Sequence, residues 1–184
     1  TLYYCNRFAR DDQKDIHALD LASGRVTHSA KAVREPAALC LSKDGKTLWV
    51  GNHLPIMPAN SQHVFAVLNV FDSATLAPVA TLDLPAGAFA VRDAVMSPDG
   101  RYCYVTHSIG RFTVPTTHLD RGWINTSAVS VFEVASRTYV NAVLLDDTVR
   151  GAANPWGVAV SSDGRWLCVN VSGAHELVVV DAVE

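Results

Sequence analysis

The chain has 184 residues, 49% of them hydrophobic and 18% charged, the profile of an ordinary globular domain long enough to bury a core. A net charge of −3 without any basic run leaves no electrostatic footprint for nucleic acid or an anionic membrane, so neither is expected as a partner. No stretch approaches the roughly 20 uninterrupted apolar residues of a membrane span, and no signal peptide is visible.

In chain order, the first predicted strand is TLYYCN at 1–6, which matches TLWVGN at 47–52 position by position. A run DIHALDL from Asp15, a short polar turn LASG and a further run RVTHSAKAV follow. Next come PAALCLS at 36–42 and the phrase SKDGKTLWV from Ser42. That phrase returns as SPDGRYCYV from Ser97 and SSDGRWLCV from Ser161, each time after an apolar run, VRDAVMS at 91–97 and PWGVAVS at 155–161. An Asp-Gly turn between apolar, aromatic-rich runs is a hairpin signal, because Gly45, Gly100 and Gly164 take a positive φ without steric penalty. Downstream of the hairpins stand VFAVLNVFD at 64–72, SAVSVFEV at 127–134 and ELVVVDA at 176–182, and then, after turns such as SATLAP and ASRT, VATLDL and YVNAVLL.

Four short strands per unit, repeated, predict an all-β fold, a β-propeller with four-stranded antiparallel blades. Residues 1–184 read as a single propeller domain or propeller fragment, with three to four blades present and the third strand of each unit starting near Thr1, Thr47, Tyr102 and Trp166. The runs beginning at RVTHSA, VATLDL and YVNAVL read as the first strands of new units. A ring leaves no bare sheet edge, and so the chain is expected to be part of a larger propeller, with a small four-bladed ring or closure by a second chain as the alternatives.

The spacing between units grows along the chain, and the excess falls in loops on one face: 51–63, 106–126 and 145–155. The opposite face carries only the short Asp-Gly and SATLAP-type turns. Loops longer than about 12 residues in a compact domain are usually functional or disordered, and Ile56, Met57, Ile109, Phe112 and Trp123 argue against disorder. The expected ligand- or partner-binding face therefore contains His53, His63, Arg92, Asp93, His107, Arg111, His118, Arg121, Trp123, Arg150 and Trp156. Arg111, Arg121 and Arg150 could clamp a carboxylate or staple their own loops to Asp120, Asp146 or Asp147. At the axial start of the strands after 36, 91 and 155, Ala37, Arg92 and Trp156 are equivalent, as are Ala38, Asp93 and Gly157, and this divergence fits either a pocket mouth or packing of an irregular channel.

His53, His107, His118 and Asp147 are candidate metal ligands, although they are spread over different loops without a known metal spacing. Cys5, Cys40, Cys103 and Cys168 form no CxxC pair, which speaks against a zinc knuckle or a covalent haem and for buried free thiols. No catalytic residue and no cofactor is expected within this segment.

The phrases SPDGRYCYVTH and NPWGVAVSSDGRWLCVNVSG resemble the YVTN family of bacterial β-propeller repeats, and the resemblance covers nearly the whole chain. The insert THSIGRFTVPTTHLDRGWINTSAVSVFEV is similar to one in surface or periplasmic YVTN proteins whose later part resembles di-haem cytochrome c peroxidases and the MauG group. The likeness implies a binding or scaffold propeller, periplasmic or at the cell surface, adjoining a protein partner such as a c-type cytochrome module, with a small ligand as a further option. A propeller enzyme of lactonase or quinoprotein dehydrogenase type is the alternative; for calcium at the axis it offers only Asp93, Asn154 and Asp147 as ligands.

Overall fold

A computed structural model describes residues 1–111, 124–146 and 151–182, and among these it is all β. The first sheet holds β1 (Leu2–Cys5), β2 (Ile16–Asp20) and β3 (Arg25–Ala30). The second holds β4 (Pro36–Leu41), β5 (Thr47–Asn52), β6 (Val67–Asp72) and β7 (Pro78–Asp83). The third is formed by β8 (Ala88–Met96), β9 (Tyr102–Gly110), β10 (Asn125–Glu133) and β11 (Thr138–Leu144), and the fourth by β12 (Pro155–Val160), β13 (Trp166–Val171) and β14 (Glu176–Asp181). Every pairing is antiparallel between strands consecutive in sequence. The fold is a β-propeller, each sheet a blade.

Each interface between blades has its own apolar core. Ile16, Ala18 and Ala30 meet Leu48, Val50 and Phe71 between the first two sheets. Trp49, Leu68 and Val70 meet Val91, Cys103, Val105 and Phe132 between the second and third. Tyr104 and Val129 meet Val158, Leu167 and Val169 between the third and fourth. A strand with a blade on either side is buried on both faces, and so β6 reads VLNVFD without the polar alternation of a one-sided sheet. Gly51 lets the second and third blades approach closely, because a Cβ there would press on the Val91 side chain of β8.

The blade boundary lies one strand away from the one expected. Segments 25–30, 78–83 and 138–144, read from sequence as first strands of new units, close the preceding sheets as β3, β7 and β11, so that the strands starting at Thr47, Tyr102 and Trp166 are second in their sheets. The turns decide this. Asp72 accepts hydrogen bonds from the backbone N–H of Ala74 and Thr75 and from the Thr75 hydroxyl, and Leu76 adopts a left-handed φ of 55°, which returns the chain directly along β6. Asp20 does the same for β2 and β3 through Ala22 and Ser23. The first strand of the second, third and fourth sheets is therefore β4, β8 and β12, and these inner strands neighbour one another in turn, β4 against β8 and β8 against β12.

The repeated Asp-Gly turns share one hydrogen-bond plan. Ser42, Ser97 and Ser161 each donate a hydroxyl to the aspartate two residues on, at 2.7, 2.5 and 2.5 Å, and each accepts the backbone N–H five residues on, at 2.9, 2.9 and 2.8 Å. These hydroxyls are the first cause, with a backbone N–H second, that Asp44, Asp99 and Asp163 are held below the usual carboxylate range. Removing the hydroxyl of buried Ser97 strands the Tyr102 N–H, and Ser97→Ala is expected to lower the unfolding free energy by about 1 kcal/mol in a denaturant titration.

Candidate functional site

The start of the inner strands β4, β8 and β12 is unusual in the same way in all three. Glu35 and Asn154, just ahead of β4 and β12, and Ala90, near the start of β8, are non-glycine residues in the left-handed region, with φ of 51°, 58° and 53°. Just after them the pairing register slips, between Pro36 and Ala38, between Phe89 and Asp93, and between Pro155 and Val158. Each slip is a β-bulge, and it takes Ala37, Arg92 and Trp156 out of the regular ladder. Bulges re-aim side chains, and left-handed non-glycine residues cluster where a structure holds strain for a purpose.

In the third and fourth blades the re-aimed side chains meet. The Arg92 guanidinium lies 4.3 Å from the centroid of the Trp156 ring, a cation–π stack across the blade interface. The backbone beneath is fixed by three bonds: Thr106 Oγ1 donates to the Trp156 carbonyl at 2.8 Å, the Val158 N–H donates to Asp93 Oδ2 at 3.1 Å, and the Gly157 N–H donates to Asn170 Oδ1. Asp93 also accepts the Ala94 N–H at 2.9 Å, and so its carboxylate staples the two blades together. Trp156 remains 46% exposed, an aromatic face open to solvent over an otherwise ordered edge.

Arg92 also lines a cleft of about 420 Å³ with Phe89, Ser108, Asn125, Asp146 and Asn154. Within it Asp146 is occupied, since Oδ2 accepts the Ser127 N–H and Oδ1 the Ala152 N–H. Burial first, and then the neighbouring Arg7 charge, weaken proton binding by Arg92. Arg7 itself is paired with Glu35 at 3.1 Å.

The histidines divide. His107, expected on the binding face, is instead in the core: it is fully buried in β9, where Nε2 accepts from the Ser130 hydroxyl at 2.7 Å and Nδ1–H donates to the Ser108 carbonyl at 3.2 Å. Burial pushes its pKa down to about 4, so it is neutral. It stands where Asn52 stands in the second blade, and Ser130 where Asn69 stands; Asn52 and Asn69 form the corresponding buried pair at 2.8 Å. His53 is also buried, and its Nδ1–H donates to the Val91 carbonyl at 3.0 Å, tying β5 to β8. Its pKa is lowered, by burial first and by Arg7 and Arg92 after a partly opposing bond to Val91. His63 is exposed in the loop after β5, and Arg111 is exposed after β9 with its N–H donating to the Ile124 carbonyl. His118, Arg121, Trp123, Asp147 and Arg150 lie outside the described residues.

Among the described residues no three His, Cys, Asp or Glu side chains converge as metal ligands, and the candidate ligands His118 and Asp147 lie outside them. The four cysteines are free thiols. Burial raises the Cys5 thiol, and a hydrogen bond from the Cys103 S–H to Cys40 followed by burial raises that of Cys103, the opposite of what an attacking thiolate needs. Among the described residues no helix is long and apolar enough to cross a membrane.

No protein-family model matches the chain. Over 91 residues, half of the chain, it is 32% identical to the hydrazine synthase subunit beta of Kuenenia stuttgartiensis. It also superimposes on the structure of Kuenenia stuttgartiensis hydrazine synthase, with a TM-score of 0.79 and 25% identity over 92% of the chain. Both neighbouring folds are propellers. The second is a periplasmic gluconolactonase of Pseudomonas aeruginosa, with a TM-score of 0.65 and 20% identity over 97% of the chain, a likeness of fold alone. The chain spans 24% of the length of the curated relative and 46% and 49% of the two solved chains.

Proposed function

We propose that the chain is part of a non-catalytic binding or scaffold propeller of the YVTN type, which docks a protein partner on the face where the inner strands begin. The observation that carries this is the Arg92–Trp156 stack, an arginine and a part-exposed tryptophan brought together by two bulges at a blade junction. Arginine and tryptophan are the residues most enriched among the anchors of protein interfaces. The 32% identity to a protein that is itself a subunit of a larger enzyme supports a partner-bound role. In this reading the protein is periplasmic or on the cell surface, the adjoining partner is a c-type haem electron-transfer module, and these residues hold no cofactor of their own.

The test uses the full-length protein from its native source. It is expected to run in gel filtration as an assembly larger than its own mass, and the Arg92→Ala/Trp156→Ala double variant to shift towards the lone species. The same preparation is expected to open aldonolactones no faster than buffer, with or without calcium. Calcium-dependent lactone opening that Asp93→Asn abolishes would establish the lactonase alternative instead, and an unshifted assembly in the double variant would remove this face from the interface.

A further inference from the structure

Among the described residues two buried side-chain atoms have no hydrogen-bond partner, Arg92 Nε and Thr126 Oγ1, and only the first belongs to a charged group. A guanidinium carries five N–H donors in its plane, and stacking on Trp156 covers a face without satisfying any of them. Arg92 Nε is buried and has no hydrogen-bond partner, and no described carboxylate forms an ion pair with the side chain. Two of the other stacked arginines are paired: Arg165 reaches Asp181 at 3.1 Å, and Arg7 reaches Glu35. An unsatisfied buried donor on a charged group is expensive to retain, and this one is held in place by a bulge, a left-handed residue and an aromatic platform.

We propose that Arg92 is the anchor of a carboxylate-binding site in the cleft between the third blade and the segment 151–154 that leads into the fourth. This rests on the binding role assigned above and names the chemistry of what is bound. The planar fork of a single guanidinium matches the two oxygens of one carboxylate, whereas Arg7, the nearby cation that could help to hold a phosphate dianion, is already engaged by Glu35. Charge favours an anion here, since Arg92 and His53 both feel the positive charge of Arg7, and a bound carboxylate relieves that repulsion. Asp146, the acidic group in the cleft wall, has both oxygens taken by backbone N–H groups. Asn125 and Ser108 supply neutral polar groups beside Arg92, and about 420 Å³ is the size of a small-molecule site.

The experiment is calorimetric titration of the full chain with succinate, with inorganic phosphate and with a short peptide rich in aspartate. Saturable succinate binding is expected, weakened at least tenfold in Arg92→Met and severalfold in Arg92→Lys, which keeps the charge but loses the fork. Arg101→Met, which removes an arginine stacked on Tyr102 at the opposite face, is expected to leave the affinity unchanged. Binding of the peptide alone, lost in Arg92→Met, assigns the carboxylate to an acidic partner segment. Phosphate binding tighter than succinate overturns the carboxylate assignment. No saturable binding of any probe, or binding equal in wild type and in folded Arg92→Lys, overturns the site. The gel-filtration assembly is read independently, and an intact assembly beside a failed titration discards the ligand class while keeping the docking face.

Discussion

Lowering the pH from 7 to 4 is expected to remove roughly 3 kcal/mol of stability through His107 alone. The folded protein keeps this imidazole neutral, with burial lowering its pKa from 6.5 to about 4, and the unfolded chain protonates it near 6.5. The contribution is therefore complete above 6.5, shrinks as the unfolded state gains its proton, and stops changing once the folded histidine is also protonated near 4. His53 adds a loss of the same sign, because its pKa is lowered as well. Asp44, Asp99 and Asp163 act in a separate and more acidic window, since carboxylates held below 3.8 release their contribution only as the pH falls through those lowered values. Denaturant midpoints measured between pH 7 and 4 check this. His107→Asn, which places the residue of the equivalent Asn52 position opposite Ser130, is expected to flatten most of the dependence; an unchanged pH profile in that variant would exclude His107 as its source.

His107 also shows where a sequence reading of this protein reaches its limit. His53 and His107 look alike as histidines that follow a second-strand motif, yet they are one position apart in register, and along a strand one position exchanges the two faces. The repeat itself is legible, because the Ser-x-Asp-Gly phrase encodes a complete hydrogen-bond plan within six residues, from the Ser97 hydroxyl to the Tyr102 N–H. The blade boundary is less so. It depends on which of two neighbouring turns folds the chain back sharply, and the Asp72 cap with a left-handed Leu76 has no glycine to announce it.

The site divides in the same way. That positions 37, 92 and 156 diverge within similar repeats can be read from the chain; that a bulge lifts all three out of the ladder cannot, because a bulge exists only in the register between two strands. Nor does sequence pair Arg92 with Trp156, which are brought together by the packing of β8 against β12. The nearest sequence signals are non-glycine residues with little β preference, Glu35, Ala90 and Asn154, placed at or just ahead of the start of an apolar strand. Histidines and loop arginines drew attention for their chemistry, whereas the fold uses His53, His107 and Asp93 mainly to tie strands together.

The largest effect of a single substitution is expected at Trp49, where Trp49→Ala should lower the unfolding free energy by about 3–5 kcal/mol. Trp49 is 1% exposed and lies in the core shared by the second and third blades. Its ring meets Phe132 edge-on across that interface, with centroids 6.4 Å apart, and Phe132 in turn packs edge-on against Tyr139 of β11. The interface is built from strands of two different sheets with no backbone ladder between them, so neighbouring strands cannot close the cavity by sliding without breaking their own registers. Domains are stable by only about 5–15 kcal/mol, and a loss of this size brings the chain close to unfolding at moderate temperature. Trp49→Phe leaves an aromatic ring against Phe132, gives up the indole N–H bond to Thr47 Oγ1, and should recover more than half of the loss. Equal destabilisation by Trp49→Phe and Trp49→Ala would show that the indole hydrogen bond rather than blade-to-blade packing sets the stability at this position, whereas the predicted order makes the aromatic contact between the second and third sheets the larger contribution.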